Sequence, residues 1–345
     1  MSRLVPLLLT AALVAAGCGL SPPAESAPPS VGSTADRAAI TSTTTTAPPS
    51  TVPVTTTTTI PGVPPLDHDE EARALITSAG IVVPVLETVI GGWRVRTPCR
   101  NEAVLLAGTP IDRVHVVVDA GHGGAAEPGA VGENGLVESP LNLEVALLIE
   151  ELLEAGGYEV LLTRYSDYRL PIITRAEIAN TLDADLMVSI HHNAGTAGPS
   201  EVPGSEVYYA RDSVEGKRLA GLIREEAVAR LGQFDADWVA GPDGEPDEGV
   251  TYRLDAQTGD DFYGMVRRPT IPAVITEMSY LGNPTEAALL ETPGYRRAEA
   301  EAVVAGIVRW YETEDPGSGF VEPSYQIDSS GGGGGTTGCV DPELG

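Results

Sequence analysis

Residues 114–124 read Val-His-Val-Val-Val-Asp-Ala-Gly-His-Gly-Gly. A short apolar run that ends in small and polar residues is the pattern of a strand buried on both faces. The same theme returns along the chain. Residues 159–163, 186–190, 207–210 and 273–276 read as further strands. Between them, residues 141–154, 170–181, 215–231 and 295–311 carry helical spacing of apolar side chains. Strands alternating with amphipathic helices predict an α/β fold, a twisted, mostly parallel sheet flanked by helices, over residues 111–312.

Outside this unit the composition changes. Residues 66–110 form a short flank, where 81–86 and 93–97 read as strands joined through Gly91-Gly92. A small β-rich flank, SH3-like, is expected there; an irregular extension packed on the main domain is the alternative. Residues 235–261 are acidic and Gly-rich and read as a surface loop. Residues 313–345 turn to Gly, Ser and Pro, so a flexible tail is expected unless Cys339 pins it.

At the N-terminus, Arg3 precedes an apolar run over residues 4–16, too short to span a bilayer comfortably. Ala15, Ala16 and Gly17 are small, and Cys18 follows. Residues 1–17 are therefore expected to be a lipoprotein-type signal peptide, with a lipid on Cys18 anchoring the protein to the membrane. An ordinary secretory peptide with an incidental cysteine is the competing reading. Residues 18–65, rich in Thr and Pro, read as a disordered stalk that holds a folded domain away from the membrane. Both readings place the chain outside the cytoplasm, in the cell envelope. There the remaining pair, Cys99 and Cys339, are candidates for a disulfide.

Charge narrows the partners further. Lys and Arg total 21 against 49 Asp and Glu, a formal charge of −28. Such an excess repels phosphate backbones, so nucleic acid is not an expected partner.

Three strand ends carry the chemistry. The first runs into Asp119-Ala120-Gly121-His122-Gly123-Gly124, another ends in Ser189-Ile190-His191-His192-Asn193, and a third ends in Thr276-Glu277. Ligands in open α/β sheets bind beyond the carboxyl ends of strands, so these edges converge on one crevice. Glu138 stands just before a helix whose positive end favours its carboxylate. Two histidines and one carboxylate, with a position left for water, make a catalytic zinc set. A further carboxylate off the metal can take a proton from water and pass it to a departing amine. Each residue alone has a plainer reading, as a hydrogen-bonded histidine, a helix first-turn acid or a strand-end ion pair. Side chains alternate along a strand, so one of His191 and His192 faces the metal. His115, inside the first strand, and His68, beside the stalk, read as structural.

Taken in order, Val116-Val117-Val118-Asp119-Ala120-Gly121-His122-Gly123-Gly124, Gly135-Leu136-Val137-Glu138, Leu162-Thr163-Arg164, Ser189-Ile190-His191-His192-Asn193-Ala194 and Pro272-Ala273-Val274-Ile275-Thr276-Glu277 resemble the zinc-dependent N-acetylmuramoyl-L-alanine amidases of the amidase-3 type. The resemblance runs over about residues 113–311. It implies that His122, Glu138 and His191 hold Zn2+, that His192 falls on a variable position, and that Glu277 is the catalytic glutamate. It also implies hydrolysis of the amide between N-acetylmuramic acid and L-alanine of peptidoglycan. Arg267 lies where such proteins often carry an arginine, a candidate substrate contact. Met278-Ser279-Tyr280 departs from the usual Gly-Phe-containing stretch, and the acidic loop before Met265 is longer than usual. Rival readings are a zinc peptidase cutting within the stem peptide and a cell-wall binding or regulatory protein, non-catalytic or autoinhibited. Whether a protein activator is needed stays open.

Overall fold

The computed structural model describes residues 62–69, 71–194, 204–234, 249–327 and 335–345. Cys18, the expected signal segment and nearly all of the expected stalk lie outside the described residues, as do residues 235–248 of the acidic stretch. Five strands come first: β1 (Ala74–Ile76), β2 (Val82–Val89), β3 (Gly92–Arg96), β4 (Glu102–Leu105) and β5 (Thr109–Ile111). They form an antiparallel sheet of order β4-β3-β2-β1-β5. The α/β unit follows with β6 (Val116–Ala120), α1 (Glu138–Ala155), β7 (Val160–Leu162), α2 (Ile172–Thr181), β8 (Leu186–Asn193), β9 (Glu206–Tyr209) and α3 (Val214–Leu231). It continues through β10 (Val250–Thr251), β11 (Arg253–Asp255), α4 (Gly264–Arg267), β12 (Ala273–Tyr280), α5 (Pro284–Leu290), α6 (Pro293–Glu312) and β13 (Ser324–Gln326).

The central sheet has the order β10-β9-β12-β8-β6-β7. Every neighbouring pair is parallel except β12 with β9. Alternation along the strands sorts their side chains into two cores. Val116, Val118, Val188 and Ile190 pack with α1, α3 and α6. In α1 the contacts come from Leu141, Val145, Ile149 and Leu153, spaced four apart on one helical stripe. Val117, Leu161, Met187 and Ile275 face the other way, onto α2 and α4.

That second face also receives the flank. Leu75, Val82, Val83 and Val95 of the N-terminal sheet share a core with Val117 and Met187. The flank is thus regular β-structure, and it covers a face of the catalytic sheet that the short helices leave open.

Two expectations need correction. Residues 249–261 are not simply loop: β10 adds to the sheet edge beside β9, and β11 pairs in parallel with β13. The tail is not free over its described parts. Gly317 packs against Gly221, where an added Cβ would meet the backbone at 2.7 Å. Further on, Cys339 forms a disulfide with Cys99 across 240 residues of sequence. The physical reason is the same in both cases. In each case the segment is held by a partner distant in sequence, which local composition does not signal.

Candidate metal centre

The strand register brings the three edges together. Asp119 lies opposite Ser189, and Glu277 lies opposite both His191 on β8 and Glu206 on β9. Beyond β6 the chain turns sharply, with His122 in the left-handed region at φ 60°. A side chain there costs about 1–3 kcal/mol, so the surroundings must hold it. Two buried arginines do so. Arg175 donates to the Ala120 carbonyl at 2.6 Å and to the His122 carbonyl at 2.5 Å. Arg164 donates to the carbonyls of Ala120 and Gly121 at 2.8 and 3.0 Å. Fully buried Asp119 anchors Arg175 at 2.7 Å and accepts from Ser189 Oγ and Thr163 Oγ1. Burial opposes its charge, but Arg175 and the two hydroxyls outweigh that and keep its carboxyl below the usual carboxylate range.

Glu138 opens α1 and meets the end of β8, where it accepts from the His192 N–H at 3.2 Å. Its Oε2 lies 3.2 Å from His122 Nε2, and its Oε1 lies 3.0 Å from His191 Nδ1. Their ligating atoms all fall within 4.8 Å of one another. The Glu138 carboxylate also accepts from the backbone N–H of Ala130 at 2.7 Å and from Asn142 Nδ2 at 3.2 Å. Burial would favour its neutral form, yet hydrogen bonds from both imidazoles hold its carboxyl well below the ordinary range. Burial likewise pulls the His191 imidazole down, with Glu138 opposing. A His191 imidazole held toward its neutral form beside an ionised carboxylate suits metal binding, which needs ligands free of their protons. Space is reserved for this geometry. A Cβ on Gly121 would sit 2.2 Å from His191 Nε2, and one on Gly129 would sit 2.4 Å from Glu138 Oε2. Two nitrogen donors and one carboxylate oxygen, converging and open on one side, fit a divalent ion such as zinc.

Glu277 lies with His122 and His191 along a cleft of about 430 Å³. Its Oε2 is shielded from solvent and has no hydrogen-bond partner among the described residues. Burial, then the charges of Glu138 and Glu206, push its carboxyl well above the ordinary range, while Arg253 pulls the other way. Arg253 is itself fixed, donating to Tyr263 Oη at 2.7 Å and Tyr208 Oη at 2.8 Å. Tyr208 in turn donates to Glu206 at 2.7 Å.

The model of the N-acetylmuramoyl-L-alanine amidase family known as amidase-3 matches residues 116–309. This chain belongs to that family. Among its relatives, the Bacillus subtilis protein YqiI is 33% identical over 208 residues, 60% of this chain and 89% of YqiI. The N-acetylmuramoyl-L-alanine amidase LytC of the same bacterium is 30% identical over 204 residues, 59% of this chain but only 36% of LytC. The Escherichia coli amidase AmiA is 28% identical over 223 residues, covering 58% of this chain and 77% of AmiA. The crystal structure of an N-acetylmuramoyl-L-alanine amidase from Clostridium difficile 630 shares the fold, with a TM-score of 0.50 and 24% identity over 59% of this chain and 99% of that one.

In this amidase-3 chain His122, Glu138, His191 and Glu277 meet at one cleft. His192 points to the opposite face, buried, with Nδ1 2.7 Å from Asn142 Oδ1 and Nε2 3.2 Å from Glu299. His115 is structural, bonded to the Pro64 carbonyl and accepting from the Glu159 N–H. His68 lies between Asp112 and Glu159 at 2.9 Å from each. Arg267 is exposed at the end of α4, away from the walls of the metal cleft, and bonds the Asp261 carbonyl. The residues that sequence reading missed are Arg253, Tyr263 and Arg175. Arg253 sits in the acidic stretch, whose composition gave no strand signal. Arg175 lies on an expected helix but carries no motif.

Proposed function

We propose that this chain hydrolyses the amide between the lactyl group of N-acetylmuramic acid and L-alanine of the peptidoglycan stem. His122, Glu138 and His191 would hold a zinc ion there, and Glu277 would be the catalytic acid and base. The observation that carries the reading is the Glu277 carboxylate, whose Oε2 has no hydrogen-bond partner among the described residues, in the same cleft as a converging His-Glu-His set. When bound, zinc supplies Lewis acidity toward the scissile carbonyl and lowers the pKa of water. Glu277 takes a proton from the attacking water and returns it to the nitrogen of the departing L-alanine. Its proton affinity suits both transfers, because an unpartnered carboxylate in a shielded site holds a proton more tightly than one in water. Arg253, held by Tyr208 and Tyr263, limits that rise. Asp119, Arg164 and Arg175 keep the His122 turn in its left-handed geometry.

A cell-wall amidase works outside the cytoplasm, and no helix among the described residues is long and apolar enough to cross a membrane. The small residues before Cys18 support anchorage through a lipid on that cysteine, followed by the Thr-rich stalk. Mass spectrometry of the mature N-terminus tests this point, an unmodified or absent Cys18 counting against it.

The central experiment incubates the protein with isolated peptidoglycan, with and without a zinc chelator, and identifies the new amino termini. Chelator-sensitive release of L-alanine termini is expected. Termini from within the stem would instead indicate a zinc peptidase. Zinc binding without release would indicate a cell-wall binding or restrained protein.

A further inference from the structure

The metal cleft continues into a second groove. Ile172 and Gly264 line the cleft, and both also line an adjoining hollow of about 440 Å³. The walls of that hollow include Arg100, Arg267 and Arg268. With 49 acidic residues against 21 basic ones, the chain as a whole would put carboxylates around an arbitrary hollow. Three guanidinium groups at the margin of the reaction site run against that average.

The arginines come from distant parts of the chain, and one of them is held at a cost. Arg100 occupies the turn between β3 and β4 with φ 71°, in the left-handed region. Its N–H bonds the Thr97 carbonyl at 2.9 Å, closing the turn. The Asp341 carboxylate then accepts from Thr97 Oγ1 at 2.8 Å, the Cys99 N–H at 2.6 Å and Asn101 Nδ2 at 2.7 Å. The Cys99–Cys339 disulfide locks the same turn to the tail, and the tail's own Thr336 lines the groove. Glu177 holds the Arg100 side chain at 2.5 Å. Arg267 is within reach of the Asp255 charge and bonds the Asp261 carbonyl. Arg268 is exposed and makes no ion pair among the described residues. A strained, cross-linked turn that presents an arginine to a groove is structure beyond what a solvated surface needs.

We propose that this groove is a subsite for the free carboxylates of the stem peptide, with Arg268 as the principal contact and Arg100 and Arg267 in support. The inference rests on the amide-hydrolase reading. With L-alanine at the metal cleft, the rest of the stem must leave along a connected channel, and its carboxylates need cationic partners. A planar guanidinium matches a carboxylate with two parallel hydrogen bonds, which a lysine does not.

The test pairs two muramoyl peptides that differ only in whether the stem carboxylates are free or amidated, with wild type, Arg268→Gln and Arg268→Lys. Arg297→Gln serves as control, because Arg297 pairs with Glu301 on the exposed side of α6 and lines neither the groove nor the cleft. Wild type is expected to favour the free-carboxylate substrate by about 10–100-fold in kcat/KM. Arg268→Gln should erase most of that preference, raising KM for the free-carboxylate substrate far more than for the amidated one, with Arg268→Lys intermediate. Equal losses on both substrates, or none on either, would overturn the subsite. Binding of the free stem peptide to full-length Glu277→Gln protein, with and without Arg268→Gln, is measured alongside by calorimetry. That readout needs no turnover. If wild type cuts neither substrate, the amide reading fails, and the peptide binding still decides the subsite. Weaker binding without Arg268 upholds it, and unchanged binding overturns it.

Discussion

Replacing Glu277 with Gln should abolish turnover and, in the metal-free protein, raise stability in a pH-dependent way. The Oε2 atom of Glu277 is shielded with no partner among the described residues, and Glu138 and Glu206 add repulsion. A buried polar group left without a partner costs about 1–3 kcal/mol. Glutamine keeps the shape and removes the charge, so a gain of that order is expected. At about 2–4 °C per kcal/mol for a folded unit of this size, it corresponds to a rise in Tm of roughly 2–12 °C. The sign follows from linkage. A carboxyl whose folded-state pKa is raised binds protons more tightly folded than unfolded, so its penalty is absent below the unfolded value. The penalty grows as pH rises from that value, about 4.3, toward the folded one. Thermal melts of wild type and Glu277→Gln in chelator should therefore nearly coincide at pH 4 and separate at pH 8, the variant melting higher. Zinc content measured after reloading should match wild type. A variant that melts lower at pH 8, or by the same margin at both pH values, would refute the idea that Glu277 is held ionised at a cost. The gain in stability from losing an active-site charge is the usual exchange between activity and stability.

Other outcomes follow from the same contacts. His122→Ala should lose zinc, measured by metal analysis after dialysis, whereas His192→Ala should keep it, because His192 faces Asn142 and Glu299 on the other side of the sheet. Gly129→Ala places a Cβ 2.4 Å from Glu138 Oε2 and should weaken zinc binding by about 10–100-fold in chelator competition. Arg175→Leu strands the buried Asp119 charge and should cost about 3–5 kcal/mol in urea unfolding, with loss of activity as the His122 turn relaxes. Cys99→Ser with Cys339→Ser should lower stability by about 2–5 kcal/mol in non-reducing melts, since the bridge constrains a very long loop in the unfolded chain.

Much of the site could be read from local pattern. Alternation implies that one of His191 and His192 faces the site, the family resemblance points to His191, and the structure places the two rings on opposite faces of β8. Glu138 is a first-turn acid, and the same position that suits the helix end lets it bridge both histidines. Arg253 was not legible, because β11 is three residues long and its partner β13 lies about seventy residues further on. Such a strand exists through its pairing, and short segments without periodicity carry little signal of their own. Arg175 was hidden for a related reason. A helix pattern shows which side faces the core, but not that a buried guanidinium there will find the carbonyls of a turn more than fifty residues earlier.

By itself, then, the sequence determined the alternating α/β order, the polar strand ends and the residue types able to hold a divalent ion, because periodicity and donor chemistry are local properties. Tertiary structure alone decided that the flank covers one face of the catalytic sheet, that the tail is pinned at Cys99, and that Arg253 and Glu206 set the environment of Glu277. Those facts depend on burial and on charges brought together from distant positions, and both arise only when the chain has closed on itself.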